Sequence, residues 1–151
     1  MNKFIIILMF LLYGCGYTSV YKENKNYDIL VSILDMKGDS VLNNNLKNQL
    51  AIISDRESEN IFNIILITNY EKIITSKNAA GLATDYKLQA TVNLDIKKND
   101  INKKITFSES FNIKNEGANF EQTNYENSIK RNFAILIKDK LVLYLLSFDD
   151  N

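Results

Sequence analysis

No histidine occurs anywhere in the 151-residue chain, and Cys15 is its only cysteine. Metal sites built from His and Cys, imidazole acid/base catalysis, and Cys/His or Ser/His nucleophile systems are therefore excluded, and no metal or catalytic residue is assigned. The side chains left for chemistry fall into three groups. Asp55, Glu57 and Glu59 form the densest acidic cluster, and two carboxylates across a sugar can hydrolyse a glycoside. With Arg56 among them, these acids read more simply as a solvated loop. Lys97, Lys98, Lys103 and Lys104 bring four ammonium groups to the ends of one predicted hairpin. There they could meet phosphates or an acidic partner as point charges, or simply solvate the hairpin tip. The third group is the thiol of Cys15. Basic and acidic residues balance at 18 each, so nucleic acid is not an expected partner.

The surroundings of Cys15 decide what its thiol is for. Met1-Asn2-Lys3 is a short positive start, Phe4 to Leu12 is unbroken apolar chain, and Tyr13-Gly14-Cys15 follows at once. This is a secretory signal in outline. A membrane-spanning helix needs about 20 apolar residues, and this run stops well short of that. Leu12-Tyr13-Gly14-Cys15 resembles the lipobox of bacterial lipoproteins, in which the Cys is acylated and the signal is cut just before it. That likeness implies a signal peptide over 1–14, a lipidated lead-in over 15–26, and no cofactor beyond the covalent lipid on Cys15. Each buried methylene is worth about 0.8 kcal/mol, so two or three acyl chains anchor stably where one does not. By lipoprotein sorting rules, Gly16 after the Cys favours the outer membrane.

The elements that must position these residues follow from hydropathy patterning. Tyr27, Ile29, Val31 and Ile33 alternate as a first strand, with Leu30 and Leu34 partly covering its second face. Lys37-Gly38-Asp39-Ser40 breaks it, Asp39 or Ser40 can cap a helix, and Leu42, Leu46, Leu50 and Ile53 form one helical stripe ending near Ser54. Ile61 to Ile74 is a long strand with apolar residues in both parities, which predicts a central strand either covered on both faces or bent by a bulge. Ser76 to Thr84 reads as a flexible connection. Tyr86, Leu88, Ala90, Val92, Leu94 and Ile96 then alternate against polar neighbours, and Asn99-Asp100 turns the chain into a partner strand over Ile105 to Ile113. Glu109 interrupts the apolar face of that partner, either as an inward charge that blunts an edge or through a bulge that turns it outward. Lys114 to Gln122 is a polar loop. Thr123 and Glu126 have capping-box spacing for a last helix with Ile129, Phe133, Leu136 or Ile137, and Leu141 on its stripe. The whole predicts a single α+β domain over 27–151, in which two helices pack on a four-stranded mixed or antiparallel sheet in the order β-α-β-β-β-α.

Cys15-Gly16-Tyr17 followed by Val20-Tyr21, a strand, a helix and a long strand, then Thr84-Asp85-Tyr86-Lys87-Leu88 opening an alternating strand, resembles the LPS-assembly lipoprotein LptE family. The likeness is greatest to its alphaproteobacterial branch, whose start typically reads Cys-Gly-Phe-x-Pro-Leu-Tyr. Here Tyr17, Ser19 and Val20 stand at the Phe, Pro and Leu positions. Tyr125 shortly before Phe133-Ala134 in the closing helix extends the likeness over nearly the whole mature chain. The resemblance implies a non-catalytic outer-membrane lipoprotein. Its expected partners are a large LptD-type β-barrel, in whose lumen it would act as plug and assembly partner, and the lipopolysaccharide delivered to the cell surface. An adaptor of a different outer-membrane or lipid-transport machine is the alternative.

Three surfaces could meet such a partner. One is the lysine group at the hairpin, as a contact for lipopolysaccharide or for acidic barrel loops. The second is the run Leu141 to Leu146, six apolar residues that as a helix cover every side, so that either a partner buries the surplus at Leu141, Leu143, Tyr144 and Leu145, or the helix end lies between the sheet and the first helix or frays into an extended end. The third is an exposed sheet edge, at Tyr27 to Leu34 or Ile105 to Ile113.

Overall fold

A computed structural model describes residues 27–115 and 119–148. The order is β1 (Leu30–Gly38), α1 (Ser40–Ile53), β2 (Ile61–Lys77), β3 (Ala83–Lys98), β4 (Ile101–Lys114) and α2 (Asn119–Leu146). The strands form one sheet in the order β1-β2-β3-β4. β1 runs parallel to β2, which requires the α1 crossover, while β2-β3 and β3-β4 are antiparallel hairpins. The α+β class and element order expected from the sequence are those observed. The predicted signal peptide, Cys15 and the lead-in over 15–26 lie outside the described residues.

Both helices cover the same sheet face. Phe62, Ile64 and Leu66 of β2 and Leu88, Ala90, Val92, Leu94 and Ile96 of β3 point into one core with Leu42, Leu46 and Leu50 of α1 and Phe133, Ile137 and Leu141 of α2. Each of these leucines, removed from water, stabilises the fold by about 1.5–3 kcal/mol. The β3 alternation is perfect because only one of its faces is covered. Its other face carries Lys87, Gln89, Thr91, Asn93, Asp95 and Lys97.

The turn from β1 into α1 is fixed by three contacts. Gly38 sits at φ +102°, and a Cβ there would lie 1.7 Å from the carbonyl oxygen of Thr68, so no other residue fits. The Thr68 hydroxyl lies 2.9 Å from Asn43 Oδ1 and 3.2 Å from the Lys37 carbonyl oxygen, which satisfies buried polar groups behind this corner. Asp39 accepts a hydrogen bond from the Leu42 amide at 2.8 Å, capping α1 as the sequence suggests.

Four expectations need correction. β1 starts and ends later than its alternation indicated, because Leu34 bulges between the pairs Ile33↔Ile64 and Asp35↔Ile65 and the chain pairs on to Gly38. Ser76 to Thr84 is not a loose connection, since β2 and β3 pair up to Lys77↔Ala83. Asn78 closes this hairpin, its Oδ1 accepting from the amides of Ala80 and Leu82, each at 3.0 Å. β2 is central but is covered on one face only, and its second row of isoleucines stands on the bare side. Finally, α2 begins at Asn119, so Thr123 lies inside the helix rather than capping it, and the Glu126 carboxylate is held by Lys72 at 2.5 Å.

Candidate functional site

The bare face of the sheet is divided by chemistry. Along β2, Ile65 and Ile67 are 36% and 49% exposed, and Ile61 and the bulged Leu34 extend the apolar strip. Opposite them stand Asp95 and Asn93 of β3, with Lys104 and Thr106 beyond on β4. Ile65, Ile67, Asn93, Asp95, Lys104 and Thr106 line an open depression of about 430 Å³. Thr106 donates to Asn93 Oδ1 at 2.7 Å, and Lys104 pairs with Asp95 at 3.7 Å, so the polar half is organised by its own contacts. An apolar strip beside a polar one suits contact with a macromolecule better than enclosure of a small one. Sequence parity alone concealed this face, because isoleucines in both parities of β2 suggest burial on both sides. The signal lay in the neighbours: a covered second face would not carry Asp95, Asn93 and Thr106.

The four lysines do not form a single group. Lys97 and Lys104 project on the bare face, whereas Lys98 and Lys103 turn to the helix side. Lys98 lies over the Phe62 ring at 5.1 Å, and Lys103 lies over the Phe148 ring at 4.6 Å while donating to the Phe148 carbonyl at 3.0 Å. Phe148 itself meets Phe62 and Tyr144 edge-on at 5.4 and 6.0 Å. Lys103 thus ties Phe148, just beyond α2, to the sheet, Lys98 covers the Phe62 ring that Phe148 packs against, and the other two lysines remain on the bare side.

The run at the end of α2 is likewise divided. Leu141, Val142 and Leu145 are buried in the chain's own core, Tyr144 packs partly against it, and Leu143 and Leu146 face outward. Among the acids, Asp55 accepts from the Glu57 amide at 2.9 Å within a tight turn, and Glu57 and Glu59 are exposed. Among the described residues no group of acids is arranged to hold a metal ion.

Sequence reasoning did not foresee an ionic cluster under the other end of the sheet. Lys130 of α2 donates to Asp39 at 2.7 Å and lies over the Tyr70 ring at 4.0 Å. One turn earlier, Glu126 binds Lys72, which lies over the Tyr86 ring at 4.2 Å. Burial works to raise the Asp39 pKa, but the hydrogen bond and charge of Lys130 and the amides of Leu42 and Val41 outweigh it, so the carboxyl is held below its ordinary value. Burial, and after it the carboxylates of Glu126 and Asp39, pushes the Tyr70 phenol well above its usual range. These groups tie α2 to β2 and to the start of α1. Glu109 on β4 has a matching role: with no register shift between β3 and β4, its side chain points inward and pairs with Lys140 of α2.

The two sheet edges differ. Ser54 Oγ accepts from the Val31 amide at 3.2 Å, and the Asp55 amide donates to the Ile29 carbonyl at 2.8 Å, so the end of α1 closes the edge at the start of β1. β4 is a regular edge strand over its whole length.

This fold, two helices on one face of a four-stranded sheet, is similar to that of lipoproteins of known structure. The chain is similar to rare lipoprotein B from Shewanella oneidensis, with 13% identity, a TM-score of 0.61, and coverage of 82% of this chain and 96% of that one. It is also similar to the uncharacterized lipoprotein B from Nitrosomonas europaea, with 12% identity, a TM-score of 0.52, and coverage of 86% and 92% respectively. The fold is therefore the lipoprotein B fold, as the resemblance to the LptE family implied. No protein-family model and no curated protein sequence matches the chain.

Proposed function

We propose that this protein is a lipid-anchored envelope lipoprotein of the LptE type. In this reading it serves as plug and assembly partner of an LptD-type β-barrel in lipopolysaccharide transport, and it works by binding rather than by catalysis. The observation that carries the reading is the shared fold, which spans nearly the full length of two lipoprotein B structures. It is joined to an amino terminus in which Cys15 follows a short apolar signal. The bare sheet face, with its isoleucine strip and the flanking Lys97 and Lys104, offers the surface for the barrel wall. Lys97 and Lys104 are also the lysines best placed to meet lipid phosphates, because Lys98 and Lys103 are engaged with Phe62 and Phe148.

The anchoring half of the reading is tested with Cys15→Ser. The variant is expected to leave the membrane fraction, and firm retention would refute a lipid anchor. The binding half is tested by placing a photo-crosslinking amino acid, in separate variants in cells, at Ile65 or Ile67 of the bare face and at the exposed Ile52 of α1 or Leu136 of α2. A specific adduct with an outer-membrane barrel supports the face assigned here, and adducts confined to α1 or α2 positions would move the contact elsewhere.

A further inference from the structure

β4 is a long and regular edge. Edge strands are blunted by bulges, proline, short length, lysines or inward-pointing charges, because their unpaired amides and carbonyls invite another strand. β4 carries the last two, as Lys103, Lys104 and the inward Glu109, and lacks the first three. β4 pairs with β3 from Ile101 to Lys114 without a single register shift, and the chain contains no proline. The two-residue turn Asn99-Asp100 is flanked by the pair Lys98↔Ile101, and ladder bonds alternate from there. Odd-numbered residues bond to β3. The amides and carbonyls of Asn102, Lys104, Thr106, Ser108 and Ser110 consequently point away from the sheet.

The sequence along this edge is complementary to itself. In an antiparallel pairing centred on Thr106, Ile105 stands opposite Phe107, Lys103 opposite Glu109, and Ile101 opposite Phe111 on the helix side. On the bare side Lys104 meets Ser108 and Asn102 meets Ser110. On the helix side apolar faces apolar at two of the three pairs and a cation faces an anion at the third, while the bare-side pairs are polar. Ile101 and Phe111, which are 46% and 48% exposed at opposite ends of the strand, are the residues that this register would cover. A shift of two residues in either direction places Lys103 or Glu109 against an apolar partner and loses the match. Such a twofold axis stands perpendicular to the sheet, so both helix layers lie on the same side. Lys140, bound to Glu109, marks the flank of α2 above this edge. Leu143, less than one turn further along α2, is 69% exposed.

We propose that the occupant of this edge is a second copy of the chain, joined β4 to β4 about Thr106 in a continuous eight-stranded sheet. About ten ladder hydrogen bonds would form across the seam. The pairing of Ile101 with Phe111 and of Ile105 with Phe107, with Lys103 and Glu109 standing as opposite charges across the seam beside their own-chain partners Phe148 and Lys140, argues for a second copy rather than an unrelated strand. The proposal is independent of the barrel reading, since self-pairing can be measured with no other protein present.

The test uses the full chain in mild detergent. Thr106→Cys places a thiol on the axis, where paired Cα atoms stand about 5.5 Å apart, within disulfide reach. Under mild oxidation it should give a covalent dimer, while Ser110→Cys, whose opposite position is residue 102, should not, and wild type with Cys15 alone should not. Thr106→Pro removes an outward-facing amide while keeping the backbone ladder to β3 and giving up only the exposed hydroxyl bond to Asn93, so it should leave the far-ultraviolet circular dichroism intact, lower thermal unfolding no more than Thr106→Val does, and abolish the dimer in sedimentation. A monomer at every concentration overturns the proposal. So does equal cross-linking of Thr106→Cys and Ser110→Cys, which would mean random collision. A dimer that survives Thr106→Pro with the fold intact would place the interface elsewhere.

Discussion

Asp39 performs two functions with one carboxylate, and replacing it separates them. One oxygen accepts from the Leu42 amide at 2.8 Å and caps α1, and the other takes the Lys130 ammonium at 2.7 Å, joining α2 to the β1-α1 corner. Asp39→Ala removes both. Loss of an N-cap costs about 1 kcal/mol, and leaving a mostly covered Lys130 without its anion costs about 1–2 kcal/mol after partial screening by solvent, so the sum is about 2–3 kcal/mol. Asp39→Asn keeps a competent cap and loses only the ion pair, for about 1–2 kcal/mol. Urea unfolding followed by circular dichroism, with the slope checked for constancy, measures both. The acid dependence gives a second, independent check. Because the folded-state pKa of Asp39 is depressed below 3.8, its contribution is present in full above that value and is lost as the pH falls through the depressed one. The gap between wild type and Asp39→Asn should therefore close in strong acid. An Asp39→Ala variant within about 0.5 kcal/mol of wild type at neutral pH, or a gap unchanged in strong acid, would refute the assigned role.

The other predictions concern sites around this frame. Gly38→Ala should cost about 3 kcal/mol or more or prevent folding, because positive φ and the close approach of the Thr68 carbonyl act together; urea unfolding decides it. Lys98→Gln with Lys103→Gln should lower stability by about 1 kcal/mol through lost contacts with Phe62 and Phe148, measured by the same unfolding. Lys97→Gln with Lys104→Gln should leave stability unchanged and instead weaken binding to lipopolysaccharide vesicles. That effect should shrink as salt is raised.

The parts of the fold that were legible in the sequence are those in which one physical rule acts alone. The polar residues alternating with Leu88, Ala90, Val92, Leu94 and Ile96 fixed both the strand and its buried face, and Asp39 announced the start of α1. Where two rules competed, the sequence misled. Isoleucines in both parities of β2 reported β propensity as well as burial, so the bare face was hidden. Thr123 and Glu126 had cap spacing, but tertiary contact with Lys72 claimed the carboxylate and the helix started earlier. The lysine group was visible as a composition feature, yet strand parity sends its members to opposite faces, a division that needs the register Ile96↔Lys103 and Asp95↔Lys104 to be seen. The cluster of Asp39, Lys130, Tyr70, Lys72 and Glu126 joins residues far apart in the chain. No local pattern could have gathered it.

A domain that works by binding an outer-membrane barrel should carry that barrel with it through affinity purification of the tagged protein from gently solubilised envelopes. One large β-barrel of the lipopolysaccharide translocon type is expected to remain bound at high salt in near-equal amount, as mass spectrometry would show. Recovery of the protein with no stoichiometric barrel, or with the components of a different machine, would contradict it.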